Sequence, residues 1–175
     1  MKTLLELLGF TSVASTAWNL AAYVAFIGII IGVSSERHRN VLTAIGAVIL
    51  GLYAWLFLHN PLFATLQVLI VISICLQWAK LSRQHTMLAM LPLTLLAYFL
   101  LAKNGAIADV WSLIGSFGFL GIAFGLVVLP KKFGFLLLVA GGALLTVYAY
   151  HVSAWVFFLL NVFYVIESVR AWFKK

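Results

Sequence analysis

Two side-chain amides, Gln67 and Asn161, stand in the middle of long apolar runs, where a polar group is costly. An amide offers donors and an acceptor without charge, so it suits recognition of a neutral polar molecule. Gln67, Val71, Ile74 and Trp78 follow helical spacing and share one face, and Asn161, Val165, Ser168 and Trp172 do the same. Tyr164 flanks the second stripe, while Trp18 and Trp111 open two other apolar runs. Amides bordered by aromatic rings are what a planar, heterocyclic or sugar-bearing ligand requires. Glu167 is an acid embedded in an apolar run, and such an acid is a candidate for contacting a ligand, a cation or a proton. The candidate substrate-binding set is therefore Gln67, Asn161, Tyr164, Glu167, Ser168, Trp18 and Trp111.

Each member also has a plain structural reading. The amides can bond helix to helix, an interaction worth about 0.6 kcal/mol or somewhat more. Trp78 and Trp172, and equally Trp18 and Trp111, sit near the ends of their runs, where tryptophan anchors a helix at a membrane surface. Arg170 lies three residues beyond Glu167 and can hold it in a surface ion pair.

Catalytic chemistry is short of parts. The acids are Glu6, Glu36, Asp109 and Glu167, and the histidines His38, His59, His85 and His151 fall at loops or helix ends. None is spaced to hold a metal on one helix face. No glycine-rich phosphate loop, paired carboxylates or nucleophile–base pair is present. Cys75 is the lone cysteine, so it has no internal disulfide partner, and we read it as a small buried apolar residue. We expect no enzyme, no cofactor and no metal.

The elements that carry these residues follow from composition. Of 175 residues, 65% are hydrophobic and 9% charged, with a mean hydropathy of +1.16. A soluble domain carries about 25% charged residues. Runs of about 20 apolar residues cross a bilayer as helices. Seven such spans are expected, near 17–34, 40–58, 61–79, 86–102, 108–129, 133–150 and 153–172.

The spans repeat. Trp18, Leu20, Phe26, Gly28 and Gly32 recur as Trp111, Leu113, Phe119, Gly121 and Gly125, an offset of 93. Gly46, Tyr53 and Ala54 recur as Gly141, Tyr148 and Ala149, an offset of 95. Leu66, Gln67 and Val68 recur as Leu160, Asn161 and Val162, and Trp78 as Trp172, an offset of 94. The drift is expected to fall in loops, where insertions cost least. The paired glycines read as sites of close helix packing. The expected fold is an all-α membrane protein of seven transmembrane helices in a 3+1+3 arrangement, as one domain over 1–175. The first repeat covers about 17–80, a linker helix about 86–102 and the second repeat about 108–175. Three helices cross an odd number of times, so the linker restores the orientation and the repeats are parallel. Pro92 lies within the linker and is expected to kink it.

Charge sets the orientation. Nine Lys and Arg residues fall on one side, at positions 37, 39, 80, 83, 131, 132, 170, 174 and 175, against Lys2 and Lys103 on the other. The positive-inside rule then places the N-terminus outside and the C-terminus in the cytoplasm of a bacterial-type inner membrane. The net charge of +7 is a product of topology and not of a nucleic-acid surface. The segment Met1–Phe10 resembles a signal peptide but is interrupted by Glu6, and we read it as an amphipathic segment at the outer interface.

With these residues in hand, the chain resembles the PnuC family of vitamin transporters, relatives of the SWEET and SemiSWEET sugar transporters. The likeness covers roughly 18–175. It is carried by the basic loop Glu36-Arg37-His38-Arg39-Asn40, the Gln67-Val68 … Trp78 stretch and the Arg170-Ala171-Trp172 ending. It implies facilitated uptake of nicotinamide riboside, thiamine or riboflavin, with Gln67 lining the substrate site. The chain departs from the family's nicotinamide riboside carriers at Ile74 and Glu167, where they have asparagines, and in lacking their helix 2 asparagine. It is also shorter. Its size is closer to a second, less specific resemblance, the YgjV type of small seven-helix bacterial inner-membrane proteins, with a similar Arg-x-Trp ending.

The expected function is facilitated diffusion of a small polar, vitamin- or nucleoside-like solute, with the two repeats rocking around a central site. Gln67 and Asn161 would face each other or a shared cavity. The expected partners are that solute and the lipid bilayer, with a homo-oligomer left open and no nucleic acid. The alternative is a non-transporting accessory or assembly protein of the same fold, whose amides simply bond helices together.

Overall fold

In the computed structural model, residues 12–34, 39–128 and 132–173 are described, and all the regular structure among them is helical. The elements are α1 (Val13–Ser34), α2 (Arg39–Leu52) continuing into a π turn (Tyr53–Phe57), α3 (Pro61–Trp78), α4 (Arg83–Lys103), α5 (Val110–Val128), α6 (Lys132–His151) and α7 (Trp155–Phe173). Each coincides with one of the seven expected spans. Five stretches are long and apolar enough to cross a bilayer: Asn40–Phe57, Pro61–Trp78, Gln84–Lys103, Lys132–His151 and Trp155–Phe173. The other two helices carry shorter apolar stretches, Ser15–Ile31 and Val110–Leu126. The N-terminal segment, most of the basic loop after α1, and Lys131, Lys174 and Lys175 lie outside the described residues.

Helix ends are closed by local chemistry. Asn60 accepts from the N–H of Phe63 through Oδ1 at 3.1 Å, and Pro61 follows it at the first helical position of α3. Asp109 and Ser112 form a reciprocal box at the start of α5. Ser112 N–H donates to Asp109 Oδ1 at 2.6 Å, and Asp109 N–H donates to Ser112 Oγ at 3.0 Å. The C-terminal turns use left-handed residues at Lys80, Gly105 and Ser153, with the next residue's N–H reaching back to the last helical turn. Ala106 donates to Leu101 O at 2.9 Å and Ala154 to Ala149 O at 2.8 Å.

The chain divides into two compact units, Met1–Ile74 and Cys75–Lys175. In the first, α1 packs against α2. A Cβ on Gly46 would meet Ala25 O at 2.9 Å and Ile29 Cγ1 at 2.5 Å, so these helices touch backbone to backbone. In the second unit, α6 packs against both α5 and α7. A Cβ on Gly141 would meet Gly118 O at 2.8 Å and Ile122 N at 2.6 Å. Ala25, Ile29 and Gly46 are the repeat counterparts of Gly118, Ile122 and Gly141. The first two helices of each repeat therefore cross at the same place by the same contact.

Burial follows the repeat too. Phe63 and Phe157, Leu66 and Leu160, Gln67 and Asn161, and Ile74 and Ser168 are buried pairs, while Trp78 and Trp172 are exposed. Helix α4 differs. It buries only a narrow stripe, Met90, Thr94 and Leu101, and exposes Leu88, Leu95, Leu96 and Phe99, and the helix runs through Pro92. Only 17% of its apolar stretch is buried against 50% for α3.

Two expectations fail. Gly28 makes no close packing contact among the described residues, because a Cβ there would meet nothing within 4 Å. Cys75 is exposed, not buried, and shares its face of α3 with exposed Val68 two turns away. In a helix that is apolar all round, sequence polarity does not mark the buried side.

The glycine contacts yield a paired prediction. Gly141→Ala should cost about 1–3 kcal/mol, because the methyl has only backbone to push against. Gly28→Ala should be neutral or stabilising by up to about 1 kcal/mol. Thermal melting of the detergent-purified variants checks both.

Candidate functional site

Donors are scarce inside a helix, since nearly every backbone N–H is already spent on a carbonyl four residues back. A polar side chain there satisfies its own donor easily by turning it to a spare carbonyl lone pair. Ser116 donates to Leu113 O at 2.8 Å, Thr146 to Gly142 O at 2.8 Å and Asn161 Nδ2 to Phe157 O at 2.8 Å. An acceptor has no such remedy and needs a donor from another element.

Gln67 is the case in point. Its side chain is 1% exposed, and Oε1 is buried with no hydrogen-bond partner among the described residues. Its Cβ lies 3.3 Å from where a Cβ on Gly51 of α2 would stand, so α2 presses on this side of α3. A buried amide oxygen without a donor costs about 1–3 kcal/mol, a sum that a bound donor group would return. Thr43 Oγ1 and Thr94 Oγ1 are also buried with no partner among the described residues.

Another amide oxygen of the first unit shows the remedy. Asn19 Oδ1 accepts from Tyr53 Oη at 2.6 Å, and Asn19 Nδ2 donates to Ser15 O at 2.8 Å. Ser15 in turn shares a reciprocal cap with Ser12. A buried polar line thus runs from the start of α1 to the π turn. Asn19 was not among the expected site residues, although an amide inside an apolar run is the same signal that marked Gln67 and Asn161. Its repeat counterpart, Ser112, is occupied in the cap of α5. The difference arises because α1 begins one turn earlier than α5 in repeat register, which places Asn19 inside its helix.

The expected site residues divide between the units. Gln67 and half-buried Trp18 belong to the first. Asn161, Tyr164, Glu167, Ser168 and Trp111 belong to the second. Asn161 and Ser168 are buried, with Tyr164 half-buried between them on α7. The stripes of α3 and α7 share one burial profile: buried at Gln67 and Asn161, intermediate at Val71 and Val165, buried at Ile74 and Ser168, exposed at Trp78 and Trp172. Glu167 accepts from Arg170 at 2.8 Å, the surface pair that their spacing allows. Trp111 is 40% exposed and stacks on His151 with centroids 4.2 Å apart and planes at 14°. Tyr150, Trp155 and Phe158 form an aromatic edge beside the α6–α7 turn. Rings gathered at helix ends in this way suit anchoring at a membrane surface.

Comparison with known proteins finds no matching family model, no matching curated protein and no matching solved structure.

The α5 cap carries a pH dependence. The backbone N–H of Ser112, then its hydroxyl, holds the exposed Asp109 carboxyl below the usual carboxylate range, with Trp111 N–H and His151 adding to the effect. A carboxyl depressed in the folded state stabilises at pH values above its unfolded pKa. That contribution disappears as pH falls through the folded value. Acid melts of the native protein should therefore lose more stability below about pH 4 than those of Asp109→Asn, since asparagine caps without a charge. Parallel acid profiles would refute this.

Proposed function

We propose that the chain is a small multi-pass transporter of a bacterial-type inner membrane. It carries a neutral polar solute of vitamin or nucleoside type by facilitated diffusion. Seven membrane crossings in a 3+1+3 order, with the N-terminus outside and the C-terminus in the cytoplasm, give its two three-helix repeats the same orientation. The repeats rock to expose the solute alternately. The observation that carries this reading is the buried, unpartnered Oε1 of Gln67. The solute would supply an N–H or O–H to that oxygen. The matching burial of Asn161 and Ser168 on the repeat-related stripe, and the likeness to the PnuC family, support it further.

One observation favours the alternative, an accessory membrane protein. The Asn161 donor is spent on its own helix, and Glu167 is spent on Arg170. Glue of this kind needs no ligand.

Gln67→Met separates the two readings. Methionine fills the same volume without a polar atom, so it removes the unmet acceptor. Under the transport reading the variant melts higher, by the equivalent of about 1–3 kcal/mol, and loses all response to solutes. The native protein, by contrast, is stabilised by about 2.7 kcal/mol by its solute at a hundredfold excess over Kd. A screen of vitamins, nucleosides and sugars by thermal shift provides both readings. A destabilised Gln67→Met, with no solute shifting the native protein, makes the amide structural and supports the accessory reading.

A further inference from the structure

We infer that the π turn Tyr53–Phe57 is a one-residue register hinge of the first repeat, latched to α1 by the Tyr53–Asn19 hydrogen bond. The inference stands on bonds within each repeat and holds whether or not the chain moves a solute.

The repeats make nearly the same two bonds at the end of their second helices. Leu58 N–H donates to Tyr53 O at 3.1 Å, and Asn60 N–H to Ala54 O at 2.8 Å. In the second repeat Val152 N–H donates to Tyr148 O at 3.0 Å, and Ala154 N–H to Ala149 O at 2.8 Å. The acceptors Tyr53 and Ala54 match Tyr148 and Ala149 at an offset of 95, while the donors Leu58 and Asn60 match Val152 and Ala154 at 94. The turn residues also match, with His59 at φ 50° and Ser153 at φ 55°. One residue has therefore been added between acceptor and donor. Trp55, Leu56 and Phe57 fill the place of Tyr150 and His151. The added residue turns a four-residue bond into the five-residue bond of a π turn.

Such a turn has a neighbouring state. The extra residue can pass into the turn at 58–60, letting Phe57 and Leu58 take the α partners Tyr53 O and Ala54 O at the expense of the Asn60 bond. The number of backbone bonds changes little, so the states lie close in energy. Pi turns are frequent at functional places in helices. The latch decides where the slide occurs. Tyr53 is 2% exposed and tied to Asn19 at 2.6 Å, so the residue that bears the acceptor stays with α1. The Phe57 ring stacks on Tyr53 at 5.4 Å and holds the other end of the turn. Beyond it, Asn60 caps α3 through Phe63 N–H and moves with that helix. Gln67 lies two turns further along α3, so a slide of one residue displaces its amide. The second repeat has no added residue here, and its counterpart of Asn19 is held in the α5 cap.

Residue-resolved hydrogen exchange on the full-length protein tests this. The Leu58 and Asn60 amides should be about tenfold less protected than those of Val152 and Ala154, which serve equivalent acceptors. Tyr53→Phe should lower protection at Leu58 and Asn60 by about a further tenfold and leave Val152 and Ala154 unchanged. Deleting Leu56, which is exposed, should raise Leu58 and Asn60 to the level of the second repeat. Equal protection of the two turns in the native protein, or no response to Tyr53→Phe, overturns the hinge. If the deletion does not fold, the native comparison and Tyr53→Phe decide the matter alone.

Discussion

A helix in apolar surroundings has carbonyl lone pairs to spare and almost no free N–H, and that imbalance governs this molecule. Polar side chains that bring a donor are easily housed, as Ser116, Thr146 and Asn161 are on the carbonyls of their own helices. Acceptors require a donor from elsewhere. The caps at Ser12, Asp109 and Asn60 draw on the few unspent N–H groups at helix starts. Asn19 obtains the Tyr53 hydroxyl, which joins α1 to the π turn. Gln67 Oε1, like the Thr43 and Thr94 hydroxyls, finds none among the described residues, and the proposed function rests on the Gln67 oxygen.

The two repeats are packed differently. Both bring their first and second helices into backbone contact through a glycine, Gly46 or Gly141. The second adds Gly118, Gly121 and Gly125 on α5, each facing backbone or side-chain atoms of α6 within about 3 Å of a would-be Cβ. That pair is close along much of its length. The first repeat has Ala25 and the open Gly28 at the positions of Gly118 and Gly121, and it carries the π turn. Tight packing in one copy and an added residue in the other distinguish two copies of a common plan.

Much of the fold was legible because hydropathy marks helices directly. Seven apolar runs correspond to seven helices among the described residues, with ends displaced by up to four residues. The offset of the repeat was legible as well, but its final step was assigned to a loop. It lies instead inside a helix, at Tyr53–Phe57, because apolar runs carry no record of which carbonyl each N–H will reach. Facing was legible only where a polar residue broke the run. Gln67, Asn161 and Ser168 are buried as their stripes implied, whereas Cys75 and Gly28, in uniformly apolar surroundings, were misread. The Glu167–Arg170 pair was readable from spacing alone. Asn19 carries the same signal as Gln67 and Asn161, an amide inside an apolar run.

The most direct test of the account is solute flux through purified protein reconstituted into liposomes. Radiolabelled nicotinamide riboside, thiamine, riboflavin and a nucleoside panel would be offered with no ion gradient, and counterflow measured against protein-free vesicles. The account predicts saturable, equilibrative entry of at least one of these solutes that is lost in Gln67→Met protein of undiminished stability. Folded native protein that exchanges none of them, or exchange that survives Gln67→Met unchanged, contradicts it.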